Sequence, residues 1–428
     1  MQIANNVINI GISEYNVVIT TDLEPDDILA LQIFFSKATE IYANIKKYPI
    51  EMIVVGEGHS GLKAARMEEY IRLYKQVGLI PNEVNIAVVQ GRGSNKNFAL
   101  EGQELFSNEK IQAIRNNTSE DNSATDAIKN FLLSSDKPLI IQLKPVRDLL
   151  PIYFTNKELL KKSELAGYVS WNVRSLVGKE IEGNTVTKQH IEDYLNCFKV
   201  TAFYESFFAT GSKNNLDKDD SPEAVEVLQN SSFLPLVMLR KLLVKWNLHV
   251  SYDWLKNDLL KELQANPEYQ AHAQNMLDIA ESIKSKAENE EFPAITEEQI
   301  ATFQTINEEC FSEDKRWQIK TITNIVKNID NQICRADFGL ALMLTNPEVG
   351  HQFAKSQSVI LEDKFFRLND NPDSSVFAYH SVGAENQSKM LYSFLLQYAE
   401  TKISDDAGQN AEVSEAKTER RIGTTLHI

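Results

Sequence analysis

Short apolar runs alternate with amphipathic ones through the first half of the chain. Tyr15-Asn-Val-Val-Ile-Thr-Thr21 is apolar, rich in β-branched residues and brief, a pattern that predicts a strand. Asp22-Leu-Glu-Pro-Asp-Asp27 follows it, and the amphipathic stretch Ile28 to Phe35 predicts a helix with Pro25 at its start. Glu51 to Val55 predicts the next strand, then a Gly-rich turn and a helix from about Leu62 to Lys75. Asn85 to Val89 and Lys137 to Leu143 give a third and a fourth strand, and Tyr168-Val-Ser-Trp171 a fifth. Between the third and fourth, residues 95–124 are polar and Asn-rich, a long loop with a helix in it. Strands separated by helices predict an open α/β fold, with a mainly parallel central sheet flanked by helices.

From about residue 229 the pattern turns helical. Leu236, Leu239, Leu243 and Trp246 recur at helical spacing, as do Leu255, Leu259 and Leu263. Thr296-Glu-Glu-Gln299 has the form of a capping box. Residues 229–320 are therefore expected to form a helical insertion within one domain spanning 1–403. Ser404 to Ile428 is charged and polar without apolar periodicity, and is expected to be a disordered tail.

Charge narrows the ligands. Sixty acidic residues against 44 basic ones leave a formal net charge of −16. Such a surface repels phosphate backbones, which argues against a nucleic-acid polymer as partner. A metal ion or a small neutral or cationic ligand fits it. No apolar run of about 18 residues is present, so no membrane span is expected. The N-terminus lacks a basic region followed by an apolar core, and Cys197, Cys310 and Cys334 are widely spaced and odd in number. A reducing, cytoplasmic location is the expectation.

The chemistry concentrates in Asp22-Leu-Glu-Pro-Asp-Asp27, four acids within six residues at the carboxyl end of a strand. In open α/β sheets that edge binds ligands. Converging carboxylates repel one another unless a cation sits among them. Oxygen-only ligation suits a hard ion, and calcium, with six to eight flexible oxygen ligands, fits better than magnesium. A plainer reading stands beside this one: acids in a first helical turn are favoured by the helix dipole and need no ligand.

Val18-Ile-Thr-Thr-Asp-Leu-Glu-Pro-Asp-Asp-Ile-Leu-Ala-Leu31 resembles the N-terminal signature of the calcium-dependent nucleoside hydrolases of inosine-uridine-preferring type. Asp22, Asp26 and Asp27 fall on the second, third and fourth acids of that signature, Thr20 on the first, and Leu23-Glu24 on its Pro-Gly pair. Three further segments keep the family's order. Gly58-His59 resembles its Gly-Asn turn, with His59 in the place of a substrate-binding asparagine. Leu143-Lys-Pro-Val-Arg-Asp-Leu149 resembles the segment whose backbone carbonyl ligates calcium, offered here by Arg147. Arg335-Ala-Asp-Phe-Gly-Leu-Ala341 resembles the late His-Asp segment, with Asp337 as the fourth acidic ligand and Ala336 in the place of the histidine.

The resemblance implies a calcium site formed by Asp22, Asp26, Asp27, Asp337 and the Arg147 carbonyl. It also implies hydrolysis of an N-ribosidic bond, with Asp22 as general base. Ribose contacts would fall to Glu205, Asn214 or Asn215 before the helix opened by Ser221-Pro-Glu-Ala224, with Asn172 and His59 lining the pocket. A polar surface loop is the alternative for that segment. With Ala336 in the histidine's place, a riboside whose base leaves as a neutral molecule is the favoured substrate. Two other classes compete. One is a relative without turnover that binds a ribosylated ligand, or a protein partner through the helical insertion. The other, a magnesium phosphoesterase, is disfavoured by the lack of a phosphate-cradling Gly-rich loop.

Overall fold

The computed structural model describes residues 11–93, 101–117, 124–144, 146–167, 176–205, 222–265, 267–288, 296–310, 336–346, 354–361, 366–380, 389 and 392–398. The strands are β1 (Asn16–Thr21), β2 (Ile50–Val55), β3 (Ala87–Gln90), β4 (Pro138–Gln142), β5 (Glu164–Gly167), the two-residue pair β6 (Glu180–Ile181) and β7 (Asn184–Thr185), β8 (Val200–Glu205), β9 (Ala354–Leu361), β10 (Phe366–Asp370) and β11 (Val376–His380). The helices in the sheet layers are α1 (Pro25–Ile45), α2 (Ser60–Gln76), α3 (Asn108–Asn117), α4 (Ala124–Ser134), α5 (Leu150–Leu160) and α6 (Lys188–Asn196). A later set comprises α7 (Pro222–Asn230), α8 (Leu234–Asp253), α9 (Leu260–Ala265), α10 (Gln270–Glu288), α11 (Glu297–Cys310) and α12 (Ala336–Thr345).

Among the described residues one nine-stranded sheet runs in the order β10-β9-β11-β8-β5-β4-β1-β2-β3. Seven strands, from β11 through β3, are parallel. β9 is antiparallel to both β11 and β10, so an antiparallel edge closes one side. Parallel strands covered on both faces need apolar residues at consecutive positions. Val17, Val18 and Ile19 of β1 are all fully buried, Val17 and Ile19 on one face and Val18 on the other. On the first face lie Leu31 and Phe34 of α1, Met67 and Tyr70 of α2, and Phe338 and Ala341 of α12. On the second lie Ile128 of α4, Leu150 of α5 and Ile191 of α6.

The order places a switch beside β1. The chain proceeds from β1 to β2 and β3 on one side, then returns to place β4 on the other. Crevices at the carboxyl ends of such strands are where open α/β sheets bind ligands.

The helical pattern after residue 229 is present. Leu236, Leu239 and Leu243 of α8 join the first core, whereas Leu255, Leu259 and Leu263 pack with Met276, Ile279 and Ile306 in a core of their own. The capping box holds: Thr296 N donates to Gln299 Oε1 at 2.9 Å, and Gln299 N to Thr296 Oγ1 at 3.2 Å. The expected fifth strand at 168–171 and the tail at 404–428 lie outside the described residues, and β5 is the segment just before the former. No helix among the described residues is long and apolar enough to cross a membrane.

Candidate metal centre at the carboxyl end of the sheet

β1 ends at Thr21, and the chain turns sharply into α1. Leu23 makes that turn with φ 56°, in the left-handed region that a non-glycine residue enters at a cost of roughly 1–2 kcal/mol. Its side chain is buried in the core, a gain of about 1.5–3 kcal/mol that offsets the strain. Leu23 N also donates to Thr21 Oγ1 at 3.0 Å. Pro25 then opens α1, and Asp27 Oδ2 accepts from Glu24 N at 2.9 Å, which fixes the first turn.

This turn aims acids at a common point. Asp26, Asp27 and Asp337 each bring one carboxylate oxygen into a group whose members lie within 4.8 Å of one another. They are 7, 1 and 4 % exposed. Asp337 comes from the first turn of α12, which packs along α1, so two helix N-termini meet at the acids and their dipoles offset part of the repulsion. The helix dipole alone explains Asp26 and Asp27 on α1. It does not explain why a second helix delivers a third buried carboxylate to the same place.

The remaining strain is electrostatic. Burial, then Asp22 and Asp337, hold the Asp27 carboxyl well above the usual carboxylate range. Burial, then Asp26, does the same for Asp337, while its contact with the Asp27 carboxyl acts the other way. Glu24 is raised by burial and by Asp22 and Asp26, with Lys63 opposing. Asp22, half-buried at the strand exit, stands outside the trio yet acts on all three of these groups.

The donor set fits a hard cation. Asp27 Oδ1 and Asp337 Oδ1 are buried without a hydrogen-bond partner, as is the hydroxyl of Thr20. Two oxygens on opposite sides of a calcium ion, each about 2.3–2.6 Å from it, are separated by about the span of this trio.

Cross-links from neighbouring strands surround the exit of β1. The register pairs Thr21 with Val55 and Thr20 with Gln142, which sets Gly56 and Lys144 on either side of Asp22. Lys144 Nζ reaches across to β2 and β3, and a Cβ on Gly56 or Gly91 would collide with it. The ammonium is fixed by Asp148 Oδ2 at 2.5 Å, and Asp148 Oδ1 accepts from Arg92 N at 2.8 Å. Above that layer, the Arg147 guanidinium pairs with Glu57 at 2.8 Å, so an ion pair also bridges the strands flanking β1.

The other sequence-derived residues divide. His59 caps α2: Nδ1 accepts from Leu62 N at 3.1 Å, and Nε2 lies 3.2 Å from the Arg115 carbonyl. Both ring nitrogens are thus engaged, in the tautomer with the proton on Nε2. Glu205 ends β8 at the same edge of the sheet. Asn172, Asn214 and Asn215 lie outside the described residues. Glu24 from the acid run and the Lys144–Asp148 pair from the Leu143–Leu149 segment join this neighbourhood in roles the sequence did not assign, and Lys63 joins it without any signal in the sequence pattern.

No protein-family model matches the chain, and no curated protein matches it. Among solved structures, a plant nucleoside hydrolase is 12% identical with a TM-score of 0.43, over 89% of this chain and 98% of that one. A purine-preferring ribonucleoside hydrolase from Gardnerella vaginalis is 10% identical with a TM-score of 0.42, over 90% and 99%. An inosine-uridine preferring nucleoside hydrolase from Bacillus anthracis is 11% identical with a TM-score of 0.35, over 90% and 99%. Likeness of this size assigns neither a ligand nor an activity.

Proposed function

We propose that this chain is a nucleoside-hydrolase-like protein that hydrolyses the N-ribosidic bond of a nucleoside or related ribosyl compound, using calcium held by Asp22, Asp26, Asp27 and Asp337. The observation that carries the reading is the meeting of Asp337 with Asp26 and Asp27, buried and with unpartnered oxygens on Asp27 and Asp337. The Arg147 carbonyl completes the proposed ligands.

Bound there, the ion would supply positive charge to orient ribose hydroxyls and to acidify a coordinated water. Asp22, half-buried beside the trio, would accept the proton of the attacking water as general base. The leaving base poses the harder problem. General acid help contributes about 10²–10⁴-fold, and the residue before Asp337 is Ala336, which has no proton to give. His59 would have to release the Arg115 carbonyl to serve. A riboside whose base departs neutral, such as a pyridinium, avoids the need, and is the proposed substrate class.

A second reading keeps the metal and drops turnover. Ala336 and the doubly engaged His59 favour a binding protein for a ribosylated ligand, with the helical region as lid or docking surface. Release of free base from nicotinamide riboside, inosine and uridine, with calcium and with chelator, separates the two. Cleavage that requires calcium supports the hydrolase. A calcium-loaded chain inert on all three supports the binder.

A further inference from the structure

The turn that carries the acids is held from behind by buried charges. Lys63 and Arg66, one helical turn apart on α2, face the exit of β1. Lys63 Nζ donates to the Asp22 carbonyl, and the Arg66 guanidinium donates to the Leu23 carbonyl at 3.3 Å. Two acids from the segment after β3 answer them. Glu101 pairs with Lys63 at 2.9 Å and with Arg66 at 3.2 Å, and Glu104 pairs with Arg66 at 2.7 Å. Tyr70 OH donates to the same Glu104 oxygen at 3.2 Å. None of the four charged side chains is more than 3% exposed.

As core filling this arrangement is a poor choice, because buried ion pairs are often matched or bettered by apolar side chains of the same volume. What the quartet does supply is geometry. Its two cations take the carbonyls of consecutive residues, Asp22 and Leu23, the second of which is in the left-handed region. Releasing those carbonyls would let Leu23 return to an extended conformation and swing Asp22 away from α1.

We propose that Lys63 and Arg66 are positioning residues of the acid site, and that their pairing with Glu101 and Glu104 sets the site's affinity for its cation. The inference rests on the cation reading of Asp22, Asp26, Asp27 and Asp337. It differs in sign from simple electrostatics. An ammonium near the acids repels a metal ion, so deleting Lys63 would tighten binding if charge alone mattered. Positioning demands the opposite.

The test is calcium affinity by titration calorimetry on the full chain, with melting in chelator as control. Lys63→Met is expected to weaken calcium binding. The neutral double variant Lys63→Met with Glu101→Gln, which leaves no charge of that pair behind, is expected to weaken it by about 10–100-fold. Lys63→Arg, which keeps charge and donors, should stay within about threefold of wild type. Where the double variant does not fold cooperatively, Arg66→Lys replaces it, with weaker calcium binding and near-wild-type melting in chelator expected. Calcium binding as tight as wild type, or tighter, in folded Lys63→Met and in the double variant or its Arg66→Lys replacement overturns the inference while leaving the site intact. A wild-type chain that binds no calcium overturns both.

Discussion

Asp27 and Asp337, from the first turns of two helices far apart in sequence, place carboxylate oxygens within 4.8 Å of each other in the interior. Each has an oxygen without a donor. A native-state ligand there stabilises the fold by mass action, about 2.7 kcal/mol at a hundredfold excess over Kd. Calcium should therefore raise the melting temperature by several degrees. Asp337→Asn should abolish most of that rise, while its melting in chelator equals or exceeds that of wild type, because one repelling charge is gone. Identical melting curves with calcium and with chelator would remove the metal from the account.

The same acids give a pH dependence whose sign depends on the ion. Without a cation, Asp27, Asp337 and Glu24 hold protons more tightly folded than unfolded. A group raised in the folded state stabilises at low pH, and that contribution is lost as pH rises from the unfolded carboxylate range through the folded value. Chelated protein should accordingly lose stability from mild acid toward neutrality. Calcium displaces those protons, so its stabilising shift should grow between about pH 5 and 8. A calcium shift that is flat across that range would count against the ion sitting among these acids.

Catalysis is expected to follow the leaving group. Inosine and uridine should be cleaved weakly or not at all, and nicotinamide riboside better. Asp22→Ala should abolish activity, and Ala336→His should raise it on ordinary nucleosides by up to the roughly 10²–10⁴-fold of a general acid. Release of free base, followed by chromatography, reads all three. Efficient wild-type cleavage of inosine would mean that another group protonates the base.

The Lys144–Asp148 pair beneath Asp22 makes a separate prediction about stability. Both side chains are almost fully buried, and their charged atoms lie 2.5 Å apart. Lys144→Met leaves Asp148 charged and without its ammonium, at a cost of about 3–5 kcal/mol. Lys144→Met combined with Asp148→Asn should recover much of that loss, since the amide oxygen can still accept from Arg92 N. Urea unfolding measures both. Equal losses in the single and double variants would show that packing, not charge, holds this layer.

Much of the parallel sheet is legible in local pattern, because β1, β2 and β4 are apolar at consecutive positions. Glu164-Leu-Ala-Gly167 is not, as a strand bounded by an acid and a glycine carries little β signal. The antiparallel edge, in which β9 lies between β10 and β11, also escapes the pattern: Ala354-Lys-Ser-Gln-Ser-Val-Ile-Leu361 begins with mostly polar residues. Around the site, Asp26 and Asp27 announce themselves by spacing, whereas Asp337 comes from the family likeness of its segment. Lys63 and Arg66 with Glu101 and Glu104 give no such notice. Each pair shows a three-residue spacing that matches one helix face, but nothing local says which distant charges will meet.

The pairing of β8 with β11 has a consequence for how the molecule is made. Thr201 bonds in register beside Val376, so the edge of β8 that faces away from β5 stays open through synthesis of all the intervening helices. At about 5–20 residues per second, that edge waits on the order of ten seconds or more on the ribosome. An unpaired strand edge is a template for association with other chains. Nascent chains are therefore vulnerable in the interval between β8 and β11. Slowing translation after residue 205 should lower the yield of properly assembled protein more than slowing it after residue 380.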